Sequence, residues 1–218
     1  FSGQILPQKS EKLRNILELV KLNILQLCLV LDTMQMKCIL LRAVAAIWKK
    51  FLLLGDFFEM EVYLMKILKF AKSFCATLFL KIRYGGACKI PWINSLKGHI
   101  DISIGKNAIL TVMQYLISNG ELHIRVSDNA RISIGKNVFF NHNCSLTAKE
   151  TIAIGDNVVI ANNVVIVDHD HRFCSTGVTN GYTVAPVCIK ENVWIGANSV
   201  ILKGVTIGEG TVIAAGSI

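Results

Sequence analysis

The C-terminal half of the chain repeats a six-residue pattern of apolar and polar positions. Isoleucine recurs every six residues, and a small or β-branched residue falls four positions after most of these isoleucines. Two inward positions in every six define a short strand and a turn. The isoleucines are Ile154, Ile160, Ile166, Ile189, Ile195, Ile201, Ile207 and Ile213, and the second positions include Val158, Val164, Val193, Ser199, Val205, Thr211 and Ser217.

Three such units form one coil of about 18 residues, and a single coil leaves its isoleucines exposed. The repeat therefore needs stacked neighbours. A β-sandwich also alternates Ile and Val, but it has no reason for a strict six-residue period. The pattern predicts a mainly β protein, with a parallel β-helix of hexapeptide repeats over residues 98–218.

Asparagine or glycine precedes the second inward residue in the segments IGKNV, IGDNV, IGANS and IGEGT. A tight corner at this point requires a positive φ, which these two residue types tolerate best. We expect each such residue to occupy a corner between two strands.

The N-terminal segment has a different composition. Residues 11–82 are rich in Leu, Lys, Ile and Met, which predicts helix, and Gly85 and Gly86 should end it. We assign residues 1–90 to a basic, apolar helical segment that precedes the β-helix. Because the chain begins with Phe1 and Met60 or Met65 could serve as a start, residues 1–60 are either a non-native extension or a helical hairpin.

The formal net charge of +8 comes entirely from this segment. Residues 1–97 hold 15 Lys and Arg against 6 Asp and Glu, whereas residues 98–218 hold 8 against 9. A nucleic-acid groove needs clustered cations, so the β-helix is not expected to bind nucleic acid. A basic, apolar segment suits peripheral contact with a membrane surface, or a phosphorylated partner.

The location is predicted to be cytoplasmic, in part at the inner face of the membrane. The seven cysteines are odd in number and form no CxxC pair, which is typical of a reducing compartment. No apolar run reaches the roughly 18 residues of a membrane span, and no signal peptide is recognisable.

The period is interrupted once, between Ile166 and Ile189, by a segment that begins VDHDHRF. Interruptions of a solenoid are usually loops, and loops carry function. An imidazole has a pKa near neutrality and suits a general base, so His169 and His171 are candidates, with Asp168 and Asp170 as groups that could orient them. The alternative is a solvated or metal-binding turn.

The block NVVIVDHDHRF, followed by APVCIKENVWIGANSVILKGVTIGEGTVIAAGS, resembles the hexapeptide-repeat acyltransferases, nearest the galactoside, maltose and surface-polysaccharide O-acetyltransferases. The resemblance covers Gly98 to Ile218. It implies left-handed coils, acetyl-CoA as acyl donor, and a homotrimer with active sites between subunits.

The resemblance also implies roles for individual residues. The essential histidine of the family lies on this loop, and between His169 and His171 we slightly favour His171. Asn141 matches an acceptor-binding asparagine, with a positive-φ corner as the alternative. Trp194 is expected beside donor and acceptor, with simple packing as the alternative.

The positions that match contacts to coenzyme A are Ala161, Ala197 and Ala215, and Lys203 could meet a phosphate. The family commonly continues past this point with further basic residues. Because this sequence stops at Ile218 in mid-coil, we expect it to be truncated.

These features predict a bacterial, acetyl-CoA-dependent O-acetyltransferase that uses a loop histidine as base and acts on a hydroxyl of a sugar or surface-polysaccharide precursor. Serine, an amino sugar or an antibiotic remains an alternative acceptor. A zinc enzyme of the carbonic-anhydrase type needs three or four converging ligands, which His99, His123 and His142 do not supply with the loop histidines, so no metal is expected. A non-catalytic β-helix scaffold is the third alternative.

Overall fold

The computed structural model describes residues 57–218. The chain divides into two compact units, Phe1–Ala71 and Lys72–Ile218. The β-helix and its candidate site lie in the second unit. The predictions made for residues 1–56, including the start of the helical stretch and most of the suggested extension, fall outside the described residues.

The described part opens with one long helix, α1 (Phe57–Tyr84). Its last turn carries Lys81 and Arg83, whose positive charges interact favourably with the negative, C-terminal end of the helix dipole. A 3₁₀ turn (Gly85–Ala87) follows, and Gly85 adopts a φ of +52°, so the helix ends at the predicted breaker. No helix within residues 57–218 is long and apolar enough to cross a membrane.

Nineteen short strands follow in residues 88–218, and seventeen of them build three parallel sheets. Sheet 1 contains β1 (Cys88–Lys89), β4 (Ile109–Val112), β7 (Arg131–Ile134), β10 (Thr151–Ile154), β15 (Val187–Ile189) and β18 (Thr206–Ile207). Sheet 2 contains β2 (Ser95–Leu96), β5 (Ile117–Ser118), β8 (Phe139–Phe140), β11 (Val159–Ile160), β16 (Trp194–Ile195) and β19 (Val212–Ile213). Sheet 3 contains β3 (Ile100–Ile104), β6 (Leu122–Val126), β9 (Cys144–Ala148), β12 (Val165–Val167) and β17 (Val200–Ile201).

Successive strands visit sheets 1, 2 and 3 in turn, so each coil contributes one strand to each side of a three-sided solenoid of about six turns. Every pairing within these sheets is parallel, which is the arrangement predicted for stacked coils. The first paired strand is Cys88–Lys89, so the paired strands begin before the boundary at Gly98 that the repeat suggested.

The register shows that the coils differ in length. Partners lie 22 residues apart between the first coils, as for Leu110 and Ile132, and 20 apart in the next step. The last step spans 18, from Cys188 to Thr206. Only the later coils therefore follow the six-residue rule, because the earlier ones carry additional residues at their corners.

The predicted inward positions form the core. The isoleucines from Ile154 to Ile207 in the repeat series are between 0 and 5% exposed, and Val158, Val164, Val193 and Ser199 are completely buried. Each fully buried isoleucine contributes about 1.5–3 kcal/mol of hydrophobic free energy. Ile213 and Val205, near the end of the described solenoid, are only partly buried against this core.

The corners are built by asparagine. Eight asparagines have φ between +54° and +62°, and Gly210 takes the same place with φ of +66°: Asn107, Asn129, Asn137, Asn143, Asn157, Asn163, Asn192 and Asn198. Their side chains form ladders from coil to coil, as where Asn143 Nδ2 donates to Asn163 Oδ1 at 3.0 Å and Asn163 donates to Asn198 at 2.9 Å. The corner prediction is confirmed.

The C-terminal part of α1 covers the first coil through a buried polar contact. Asn94 Nδ2 donates to Thr77 Oγ1 at 2.8 Å, and its Oδ1 accepts from Leu116 N. Ser73 Oγ donates to the Asn94 carbonyl at 2.7 Å, while Leu80 joins the apolar core. Because each buried polar group has a partner, the helix protects this end of the solenoid without leaving an unsatisfied amide.

Candidate active site

The interruption in the repeat forms an antiparallel hairpin, β13 (His169–Cys174) and β14 (Gly177–Val184), between β12 and β15. Strand partners on the two sides of the hairpin, such as Val159 and Trp194, lie 35 residues apart in the sequence, whereas partners in the next coil lie 18 apart. The insertion therefore adds 17 residues. It leaves the solenoid at the edge where sheet 3 meets sheet 1, called here the hairpin edge. All of its side chains are exposed except that of His169.

A buried carboxylate anchors this hairpin. Asp168 is completely buried, and its two oxygens accept hydrogen bonds from the backbone N–H groups of Lys149 and Glu150, each at 2.7 Å. These amides belong to the corner of the preceding coil on the same edge. The Asp168 carbonyl also accepts from Ala185 N, which closes the neck of the hairpin. Charge-assisted bonds of this kind are stronger than neutral ones, so the neck is firmly held.

The same carboxylate orients the first histidine. His169 Nδ1 lies 3.1 Å from Asp168 Oδ1, and the His169 side chain is 15% exposed. An ionised carboxylate only accepts hydrogen bonds, so Nδ1 is the donor, and in the neutral imidazole Nε2 then keeps a free lone pair. Two positions further on, His171 is exposed; within the described residues its side chain makes a ring contact with Tyr182 and no hydrogen bond.

Tyr182, on the opposite strand of the hairpin, connects the two histidines. Its ring meets His169 edge-on, with centroids 5.5 Å apart, and tilts against His171 at 4.7 Å. The Lys149 ammonium lies 3.7 Å from the centre of the same ring. Sequence reasoning missed Tyr182 because its contact depends on the hairpin register, which pairs it with His171.

Lys203, considered a phosphate ligand on sequence grounds, forms an ion pair with Asp170 at 2.9 Å. It follows β17 on the hairpin edge, one coil beyond the hairpin. Asp170 is therefore directed to Lys203 and Asp168 to His169, so the two aspartates of the DHDH segment have different partners.

The other predicted site residues lie on a second edge, where sheet 2 meets sheet 3. Asn141 follows β8, Ala161 follows β11, and Ala197 and Ala215 follow the next two strands of sheet 2. This alanine edge is held by backbone bonds such as Ala161 N to Ile195 O at 3.0 Å. The alternative that Asn141 is a positive-φ corner residue is wrong, since that conformation belongs to Asn143.

Trp194 lies on the outer face of sheet 2, where it is 53% exposed. Strand register stacks it between Val159 and Val212. The same outward positions in earlier coils are also apolar, and together they form an apolar column: Ile117, Phe139, Val159, Trp194 and Val212.

One chain thus brings its predicted site residues together in two groups. His169 and His171 lie at the hairpin edge, whereas Asn141, Trp194 and the three alanines lie on sheet 2 and its border with sheet 3. Sheet 2 is the side of the coil that does not border the hairpin edge. Within one chain the groups therefore cannot meet, and their roles remain predictions.

The remaining histidines are separate from the hairpin. The rings of His99 and His123 lie 6.4 Å apart on early coils, and His123 Nδ1 is 3.5 Å from Asp101. His142 packs against Gly120, where a Cβ atom would collide with its ring. Across residues 57–218, no group of three or more His, Cys, Asp or Glu side chains is arranged to hold a metal ion.

Comparison with known proteins agrees with this architecture. The family model for the bacterial transferase hexapeptide (six repeats) matches residues 189–218, and that for the hexapeptide repeat of succinyl-transferase matches residues 131–167. A galactoside O-acetyltransferase of Escherichia coli (strain K12) is 33% identical over 143 residues, covering 65% of this chain and 66% of the relative. The chain belongs to the hexapeptide-repeat acyltransferase family.

Further relatives are shorter matches. A putative acetyltransferase of Schizosaccharomyces pombe is 39% identical over 88 residues, covering 40% of this chain and 42% of the relative. A putative lipopolysaccharide biosynthesis O-acetyl transferase of Escherichia coli (strain K12) is 29% identical over 127 residues, covering 54% of this chain and 61% of the relative. This hexapeptide-repeat chain spans less than two thirds of the length of these relatives.

Among solved structures, a hexapeptide-repeat acetyltransferase of Vibrio cholerae O1 biovar eltor, crystallised with acetyl coenzyme A, is 28% identical. The match covers 49% of this chain and 57% of that one, with a TM-score of 0.42.

Proposed function

We propose that this hexapeptide-repeat protein transfers an acetyl group from acetyl-CoA to a hydroxyl of a sugar or surface polysaccharide. Family membership and relatives named as O-acetyltransferases support the reaction class. The observation that carries the proposal is the pairing of His169 with the buried Asp168 carboxylate. In the neutral imidazole this pairing leaves the Nε2 lone pair free, as a general base requires.

In this mechanism His169 Nε2 removes the proton of the acceptor hydroxyl as its oxygen attacks the thioester carbonyl. The tetrahedral intermediate then collapses, the carbon–sulfur bond breaks, and His169 returns the proton to the departing thiolate of coenzyme A. Asp168 stabilises the imidazolium formed in between, because its negative charge lies next to Nδ1. The His171 side chain lacks an orienting partner in the described chain, so the geometry favours His169, whereas the family resemblance slightly favoured His171.

We further propose that the working unit is a homotrimer in which the hairpin edge of one chain meets the alanine edge of another. The separation of the two groups of site residues within one chain supports this. The exposed apolar column supports it too, since contiguous apolar surface commonly marks a protein interface. In that arrangement Ala161, Ala197 and Ala215 would border acetyl-CoA, with Asn141 and Trp194 near the acceptor.

The test compares His169→Ala with His171→Ala in an assay that follows release of the coenzyme A thiol from acetyl-CoA in the presence of sugar acceptors. We expect His169→Ala to lose at least about 100-fold in kcat, the usual contribution of a positioned base. His171→Ala should retain most of the activity, since its imidazole is not held by a carboxylate.

Both variants alter residues outside the core, so their melting temperatures should match that of the unaltered protein and serve as the folding control. Loss of activity in His171→Ala alone would move the base to that residue. Full activity in both would contradict the mechanism.

A further inference from the structure

Two cationic side chains contact Tyr182 at the hairpin edge, one at its ring and the other at its backbone carbonyl. Lys149 places its ammonium 3.7 Å from the ring centre, and Arg172 donates from Nε to the Tyr182 carbonyl at 3.1 Å. Within residues 57–218, neither side chain forms an ion pair. The face of an aromatic ring attracts an ammonium without using its N–H groups, so the hydrogen-bond donors of Lys149 remain available.

The neighbouring acidic groups do not neutralise these cations. Asp168 is buried and directed to the two corner amides and His169, and Asp170 is paired with Lys203. Glu150, next in sequence to Lys149, is exposed and makes no ion pair in the described chain. The hairpin edge thus carries no net excess of charge, and what distinguishes Lys149 and Arg172 is that neither is paired with a carboxylate within residues 57–218.

Tyr182 also fixes where this charge lies relative to the base. One face of its ring carries the Lys149 ammonium, while its contact with His169 is edge-on at 5.5 Å. The ammonium and the imidazole therefore contact the same aromatic ring.

We infer that the acceptor carries an anionic group, a phosphate or a carboxylate, which Lys149 and Arg172 bind while an acceptor hydroxyl faces Nε2 of His169. This inference rests on the proposed function for the type of reaction, and on Lys149 and Arg172 for the class of substrate. Cationic donors next to the base would select acidic or phosphorylated sugars over neutral glycosides, because charge-assisted hydrogen bonds are made only to the former.

Direct binding tests the inference without requiring turnover. Glucose 1-phosphate and galactose 1-phosphate would be compared with the matching methyl glycosides by calorimetry on the full chain at low salt. We expect the phosphates to bind at least about tenfold more tightly, as charge-assisted bonds imply. Lys149→Met, which keeps the apolar stem on Tyr182, and Arg172→Gln should each remove most of that difference.

Lys190→Met is the matched control, since it removes one charge from an exposed lysine at a different edge and should leave binding unchanged. Raising the salt concentration should reduce the preference for phosphates in the unaltered protein. Equal affinity for phosphates and methyl glycosides, or an unaltered preference in Lys149→Met, would overturn the inference.

The phosphates of coenzyme A are the other source of an anion, and a second arm distinguishes them. Binding of coenzyme A and of pantetheine would be measured on the same variants. If Lys149→Met weakens coenzyme A but neither pantetheine nor the sugar phosphates, the cations serve the donor and the inference is wrong.

Transfer assays separate the two proposals. Lys149-dependent binding of sugar phosphates without any acetyl transfer would support the anionic site and count against the O-acetyltransferase function. Transfer to methyl glycosides and sugar phosphates with equal kcat/KM, unaffected by Lys149→Met, would support the function and overturn the inference.

Discussion

Two cysteine thiols show how the solenoid sets the chemistry of single residues. Cys144 points into the core and donates from Sγ to the Ala161 carbonyl at 3.1 Å, and burial raises its pKa above the ordinary value. Cys174 lies exposed at the end of β13, where the Thr176 hydroxyl hydrogen-bonds its sulfur at 3.0 Å and lowers the pKa of the thiol. The pKa of the Cys144 thiol is therefore raised, whereas the pKa of the Cys174 thiol is lowered.

Alkylation by iodoacetamide should reveal this difference, because the thiolate is the reacting form and a lower pKa increases its fraction at neutral pH. In the folded protein Cys174 should react faster than Cys144 near pH 7, because Cys144 stays protected in the core. Thr176→Val removes the hydroxyl and should shift the rate profile of Cys174 to higher pH. Peptide mass spectrometry across a pH series measures both rates, and comparable labelling of Cys144 in the folded state would contradict the assignment.

The residues of the site differ in how far the sequence could define them. The spacing identified the DHDH segment but could not choose between His169 and His171, which are two positions apart. The choice depends on Asp168, whose amide partners Lys149 and Glu150 lie 19 and 18 residues earlier. Such a contact exists only once two coils are stacked, so no local pattern could report it.

At the scale of elements, the hairpin is an addition to a solenoid that continues on both sides of it. Ile152 pairs with Val187 and Ile154 with Ile189 across the insertion, so β10 and β15 keep the register of the coils. The core below the hairpin is thus continuous without it.

Deleting residues 168–184, which are 17 in number, restores an 18-residue coil and leaves Ile166 and Ile189 six positions apart. We expect this variant to keep its β-rich circular dichroism spectrum and cooperative melting, because neighbouring coils still bury the isoleucine column. Acetyl transfer should fall to background, since the proposed base is removed. An unfolded product would show that the neck bonds of Asp168 are required for stacking, and retained transfer would contradict the role of the hairpin.

Among the elements, the later coils and the helix end could be predicted and the earlier coils could not. Strict six-residue spacing made Ile189 to Ile213 recognisable, and Gly85 ended α1 as expected. The first coils hold 22 residues, which hides their period, so β1 and β2 lie before the boundary at Gly98. Additional residues at the corners remove the six-residue period from the sequence, but the parallel pairing of the strands is unchanged.

For the whole molecule, the apolar column on sheet 2 predicts self-association. Val159, Trp194 and Val212 are 42–62% exposed and stacked directly above one another. We expect the protein to sediment as a trimer. Val159→Lys should dissociate it by placing a charge in the column, and activity should fall with the trimer because the two edges would no longer meet.

Thr206→Lys provides the control, because it adds the same charge to the exposed face of sheet 1, away from the column. Sedimentation equilibrium would measure both variants. A fully active monomer would contradict the inter-subunit site.

Several predictions for the whole protein stay predictions. The cytoplasmic location and the peripheral membrane contact are among them, as is the question of whether residues 1–60 are native. Our inference about the acceptor rests on the cations at Tyr182. No pattern in the repeat could define it, because the repeat reports packing and the acceptor contacts outward side chains.

The 35-residue step across the hairpin also has a consequence for the entropy of the unfolded chain. Closing a loop becomes harder only with the logarithm of its length, at about 0.6 kcal/mol for each doubling. The step from 18 to 35 residues is nearly one doubling. The closure part of the cost of carrying this segment is thus smaller than the contribution of a typical single hydrogen bond. The cost of ordering the hairpin itself is met by its own strand pairing and by the hydrogen bonds of Asp168, so the stacked coils do not have to supply it.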